Sequence, residues 1–167
     1  MKYLPFENIT YKTQLDPDEI LKRLSEVIEP KKTIRMKGMF GNNNHKPYEG
    51  RISKNIFIIN RIITYRNSFI PTIKGIIEKD NDGTKIHVKM RLHEVAMVFM
   101  FIWFGGVGIA LLIFLVSMFN DQHFEPIILI PFGMLIFGYV LVTAGFKYES
   151  IKSKKYLTQL FEAEIEE

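Results

Sequence analysis

The sequence predicts an α+β cytosolic domain, an antiparallel meander of about five or six strands plus one helix, fused to a two-helix transmembrane hairpin. Three observations carry that prediction. Residues 95–119, VAMVFMFIWFGGVGIALLIFLVSMF, contain no Asp, Glu, Lys, Arg or His, and neither do residues 127–146, IILIPFGMLIFGYVLVTAGF. A bilayer core of about 30 Å takes about 20 residues at 1.5 Å each, so both runs are long enough to cross it. Ahead of them, apolar residues recur first at helical spacing and then at every second position, with turn residues between the segments. Helical then alternating periodicity is the signature of one helix packed on an antiparallel sheet.

The elements follow in order. The opening MKYLPFENITYKTQ has no apolar core and no small-residue cleavage site, so no signal peptide is expected. NITYKTQL (8–15) alternates as a short strand. DPDEILKRLSEVIEP (16–30) reads as a helix: Asp16 can cap it, Pro17 suits its first position, and Asp18 and Glu19 sit where the helix dipole favours anions. Ile20, Leu21, Leu24, Val27 and Ile28 form one apolar stripe, and Pro30 ends it. TIRMKGMF (33–40), YEGRIS (48–53), NIFIINRIITYR (55–66) and FIPTIKGIIEK (69–79) read as successive strands, with GNNNHKP (41–47) as a loop. Asp82-Gly83 is the strongest hairpin signal in the chain. It leads into KIHVKMRLH (85–93), where Lys85, His87, Lys89, Arg91 and His93 alternate with Ile86, Val88, Met90 and Leu92.

The expected organisation is a cytosolic domain over 1–94, a transmembrane hairpin over 95–146 and a cytosolic C-terminal helix over 147–167. With no Pro or Gly after Gly145, the second span is expected to continue as a helix to about residue 163. Ile151, Leu157, Leu160, Phe161 and Ile165 would form its packing face, against the sheet or a second copy. Within the spans, Gly105, Gly106 and Ala110, with Gly138 opposite, are small enough to let helix backbones approach closely. Trp103 lies about two turns inside the first span, deeper than an interfacial belt; a later start to the helix or packing on its neighbour would explain it.

Lys85, Lys89 and Arg91 precede the first span and Lys147, Lys152, Lys154 and Lys155 follow the second, whereas the connecting NDQHFEP has no Lys or Arg. The positive-inside rule then places both termini in the cytosol. Residues 1–95 carry 18 Lys plus Arg against 11 Asp plus Glu, a net of +7, and the remainder a net of −3. A basic domain held at an anionic leaflet feels about 1 kcal/mol per nearby cation.

Catalytic constellations are not visible. The chain has no cysteine, which excludes disulfides and thiolate metal sites. It has no Gly-x-Ser-x-Gly elbow, His-Glu-x-x-His or phosphate-cradling glycine loop. His87 and His93 lie about 20 Å apart on an extended strand, too far to share an ion. The spans lack the ionisable residues that coupled transporters place at depth. No enzyme activity, metal or cofactor is expected. Tyr65-Arg66-Asn67-Ser68 offers a cation, a hydroxyl and an amide beside a strand end, although Asn-Ser there can simply turn the chain.

The run YRNSFIPTIKGIIEKDNDGTKIHVKMRLHEVAMVFMFIWFGG resembles a group of small bacterial membrane proteins of unassigned chemistry. The likeness rests on its Tyr-Arg-Asn-Ser-Phe-x-Pro segment and a Met-Arg-Leu-His strand entering a two-span hairpin, over roughly residues 48–119. It implies a cytosolic α+β region and a bacterial inner-membrane location, and no particular activity. Pleckstrin-homology-like bacterial membrane proteins are similar in layout only, and two-span phage-defence effectors place their spans before the β-domain.

The expectation from sequence is a non-enzymatic, membrane-anchored binding or sensing module. Its contact surface would be Lys85, Lys89 and Arg91, helped by Arg66. Its partners would be the anionic leaflet of the lipid bilayer and a second copy or another membrane protein, and not nucleic acid. The rival expectations are an oligomerising, membrane-permeabilising effector and an immunity or accessory subunit.

Overall fold

The computed structural model describes residues 4–31, 45–121 and 126–166. Its element order is β1 (Phe6–Thr13), α1 (Pro17–Val27), β2 (Ile28–Glu29), β3 (Tyr48–Ser53), β4 (Ile56–Arg61), β5 (Pro71–Asp80), β6 (Gly83–Leu92), α2 (Glu94–Asp121), α3 (Leu129–Phe161) and β7 (Glu164–Glu166). The strands form one mixed seven-stranded sheet in the order β2-β3-β4-β5-β6-β1-β7. The meander β3 to β6 is antiparallel, β1 pairs antiparallel with β6, and β2 is parallel to β3.

Two features depart from the expected five- or six-stranded antiparallel meander. The first is β2: the residues after Val27 leave the helix at Ile28 and pair with Tyr48 and Glu49. The second is β7, which lies along Thr10–Lys12 of β1. Strands of two and three residues carry no periodicity to read. The expected strand over 33–40 lies outside the described residues, and β4 is shorter than the apolar run 55–66. It starts after a tight turn in which Lys54 takes φ +52°, and it ends at Arg61, whose side chain is drawn to α3.

Alternation decides the two faces. Ile9 and Tyr11 of β1, Phe57 and Ile59 of β4, Ile73 and Ile77 of β5, and Ile86, Val88 and Met90 of β6 are buried on one face. Ile20 and Leu24 of α1 cover them together with Phe146, Leu157 and Phe161 of α3. The Asp16 side chain makes no capping bond, and its carbonyl accepts from Ile20 N instead. Gly83 starts β6 where a Cβ would lie 2.2 Å from the Thr13 carbonyl oxygen, at a φ of +135° that favours glycine.

Helices α2 and α3 are each long and apolar enough to cross a membrane. At 1.5 Å per residue, the 33 residues of α3 extend about 50 Å, well beyond a hydrocarbon core of about 30 Å. The surplus is the second helix of the domain. Its buried stripe runs Gly138, Val142, Phe146, Glu149, Ser150, Ser153, Leu157, Phe161, at spacings of three or four, apart from the adjacent Glu149 and Ser150. Of the expected packing face, Leu157 and Phe161 are buried and Leu160 packs against the core, whereas Ile151 is exposed and Ile165 belongs to β7 and is exposed too. Two of the polar residues find partners on the sheet, Glu149 in Arg61 and Ser150 in Met90 Sδ. Beyond Phe161 the chain turns through Glu162 in the left-handed conformation, so the acidic tail closes the sheet edge and does not extend the helix.

Candidate functional site: a basic cavity where the sheet meets an apolar helix

The sheet face opposite the helices has its own register. Arg51 pairs with Ile58, Ile58 with Lys74, and Lys74 with Lys89, giving one row across β3 to β6. The neighbouring row runs Asn60, Thr72, Arg91. These rows line a cavity of about 900 Å³. Its end nearest α2 is made by Leu92, His93, Glu94 and Met97, and its other rim by Pro30 and Lys31.

The strand becomes a helix at that end of the cavity. The His93 carbonyl accepts the Met97 N–H, and its Nδ1 accepts the Val95 N–H at 3.3 Å. His93 therefore caps α2, and Glu94 supplies a negative charge where the helix dipole favours one. Beyond the cavity, Val98 and Phe101 are exposed apolar residues on α2. The cavity is thus cationic on the sheet, carries His93 and Glu94 where α2 begins, and meets apolar residues of α2 from Met97 onward.

Charge is distributed unevenly along the β5–β6 ribbon. At the hairpin end, Lys85 pairs with Asp80 at 2.9 Å and His87 faces Glu78 at 3.7 Å. Asp80 holds the Lys85 ammonium above its ordinary value, and Lys85 in turn holds the Asp80 carboxyl below its own. At the α2 end, Arg51, Lys74, Lys89 and Arg91 make no ion pair with any described residue, and Glu94 is the only carboxylate in the lining. Lys74 and Lys89 are cross-strand partners, an arrangement in which like charges repel.

Of the four cations expected at the site, the structure therefore places Lys89 and Arg91 in the cavity. Lys85 shares their face but is neutralised at the far end of the ribbon. Arg66 is exposed in the connection after β4 and does not line the cavity. That connection is tied to α3: Asn67 Nδ2 donates to the Gly145 carbonyl, and Asn67 Oδ1 accepts the Phe69 N–H. Sequence reasoning missed Arg51 and Lys74. Each stands in its own strand, so only the register that aligns Arg51, Lys74 and Lys89 reveals the group. Lys74 lay within a recognised strand, and aligning it across Asp82-Gly83 was the available signal.

Among the packing residues, Gly138 meets α2 directly: a Cβ there would lie 3.2 Å from Trp103 Nε1 and 3.5 Å from the Phe104 ring. Trp103 accordingly packs on the neighbouring helix, and α2 begins at Glu94. Gly105 and Gly106 have no described atom within 4 Å of a built Cβ, and Ala110 is half-buried. Among the described residues no cluster of His, Asp and Glu could hold a metal ion.

A second polar group lies on the covered face. Glu149 is fully buried, accepts from Arg61 Nη1 at 2.9 Å and from the Tyr65 hydroxyl, and sits one turn from Lys152. Burial, with the Glu149 carboxylate adding to it, pushes the Tyr65 hydroxyl above its ordinary value. Burial likewise pushes the neighbouring Tyr48 hydroxyl up to about 12. Glu7 receives Lys147 at 2.6 Å and Lys154 at 2.8 Å. Burial alone would raise its carboxyl, but the bonds from Lys147, Lys154 and Ser150 outweigh it and hold Glu7 below the usual range. Arg61, Lys147 and Lys154 thus end on Glu149 and Glu7, and Lys152 donates to the Tyr148 hydroxyl, so the group positions α3 on the sheet.

No family model matches this chain, and no curated protein or solved structure matches it either.

Proposed function

We propose that the protein is a non-enzymatic binding module anchored in the bacterial inner membrane by a two-helix hairpin, with both termini cytosolic and the basic cavity presented to the anionic leaflet. The observation that carries this reading is the set Arg51, Lys74, Lys89 and Arg91, without carboxylate partners among the described residues, in a cavity that ends on the first turn of a span. Unpaired cations brought together against mutual repulsion gain most from an external anion, and a leaflet surface supplies one at about 1 kcal/mol per basic residue. Lys147, Lys152, Lys154 and Lys155 at the other span support the same sidedness.

The test is lipid retention by the full chain. Protein purified in mild detergent from anionic and zwitterionic mixtures should retain anionic phospholipid, measured by native mass spectrometry. Lys89→Glu combined with Arg91→Glu should abolish that retention while leaving the melting temperature within a few degrees. Equal retention by wild type and variant would overturn the reading.

A further inference from the structure

Resting on the reading above, we infer that the ligand is a membrane lipid whose headgroup carries two phosphate groups, with Lys74 and Lys89 at one phosphate and Arg91 at the other. The two cationic rows are two residues apart along β6, a separation of about 7 Å. One row presents Arg51, Lys74 and Lys89, and the other presents Arg91 beside the polar Asn60 and Thr72. A single phosphodiester carries one charge and its oxygens span less than the distance between rows. Two phosphates joined by a short linker fill both rows and match a lining whose cations outnumber its one carboxylate, Glu94. The arginine forks suit bidentate contact with phosphate oxygens, while the lysines act as point charges.

The lipid source follows from the other end of the cavity. Met97 gives it an apolar edge, and that edge continues along α2 into the exposed Val98 and Phe101. A soluble diphosphate would leave this edge in water. A lipid would lay its acyl chain against it while its headgroup entered between the strands.

The experiment places the full chain in phosphatidylcholine nanodiscs doped with cardiolipin or, at equal total charge, phosphatidylglycerol, and measures lipid enrichment around the protein. Inorganic pyrophosphate is the soluble competitor. Cardiolipin should be enriched over phosphatidylglycerol, and Lys74→Met with Lys89→Met should reduce that enrichment by about fivefold per lysine. Lys85→Met, outside the cavity, should not change it. Equal enrichment of the two anionic lipids would overturn the two-phosphate inference and leave the proposed function standing. Displacement of cardiolipin by pyrophosphate at comparable concentration would overturn the lipid source. Enrichment of neither lipid would overturn both.

Discussion

The two faces of the sheet treat their cations in opposite ways. On the covered face, Arg61 ends on Glu149, while Lys147 and Lys154 both end on Glu7. On the open face beside α2, Arg51, Lys74, Lys89 and Arg91 end on no carboxylate among the described residues. Both groups lie where the sheet meets the two long apolar helices, so position along the molecule alone does not explain the difference. Burial does. A charge removed from water costs several kcal/mol unless it is paired, so every cation facing the core brings a partner. A solvated cation can remain unpaired, and four of them in one cavity create a positive field that a ligand can use.

The comparison is broken most severely on the covered side. Arg61→Leu leaves the Glu149 carboxylate buried with only Tyr65 to stabilise it, and should cost about 3 kcal/mol, seen as a large drop in melting temperature in nanodiscs. Glu149→Leu with Arg61→Leu should recover most of the loss, because an apolar pair of similar volume needs no counter-charge. A double variant no more stable than the single would show that the pair contributes more than mutual neutralisation. Anionic-lipid retention should survive in the double variant, since neither residue lines the cavity.

This asymmetry also separates what could be read in the sequence from what could not. The parity of KIHVKMRL placed Lys89 and Arg91 on one face and Val88 and Met90 on the other, and β6 has that arrangement. The α1 stripe and the two apolar helices were equally legible, because each is a property of one contiguous segment. Arg51 and Lys74 were not, because their meeting with Lys89 depends on register across three hairpins. Glu149 was invisible for the opposite reason. A carboxylate on a helix is ordinarily solvated, and only Arg61, 88 residues away in sequence, makes its burial tolerable. Strand β7 could not be separated from a helix end because Glu164–Glu166 has no apolar period.

An intermediate effect is expected at Glu7, where the covered face can be titrated. Its carboxyl is held below the ordinary value, so its contribution is present above the unfolded value of about 4.5 and is lost as the pH falls through the folded value. Glu7→Gln should therefore cost about 1–2 kcal/mol at neutral pH. That variant should also show a shallower loss of stability below pH 4.5 than wild type, followed by thermal melts across the acid range. Parallel acid profiles for the two proteins would mean that Lys147 and Lys154 find other acceptors.

The smallest effect should come from the open face, and its sign is what matters. In uncharged lipid the facing ammoniums of Lys74 and Lys89 have nothing between them, and like charges across an antiparallel pair destabilise it. Lys74→Met should then raise stability by at most about 0.5 kcal/mol, the reverse of what removing a covered-face cation does. Salt supplies an internal control. Screening over a Debye length of about 8 Å at physiological ionic strength relieves repulsion between exposed charges. Wild type in phosphatidylcholine should therefore gain stability with added salt, and Lys74→Met should gain less. In anionic nanodiscs the order should invert, with wild type the more stable, because the bound headgroup turns repulsion into a bridge. A Lys74→Met protein less stable than wild type in both lipids would mean that Lys74 serves the fold, as Arg61 does, and that the open face holds no vacancy for an anion.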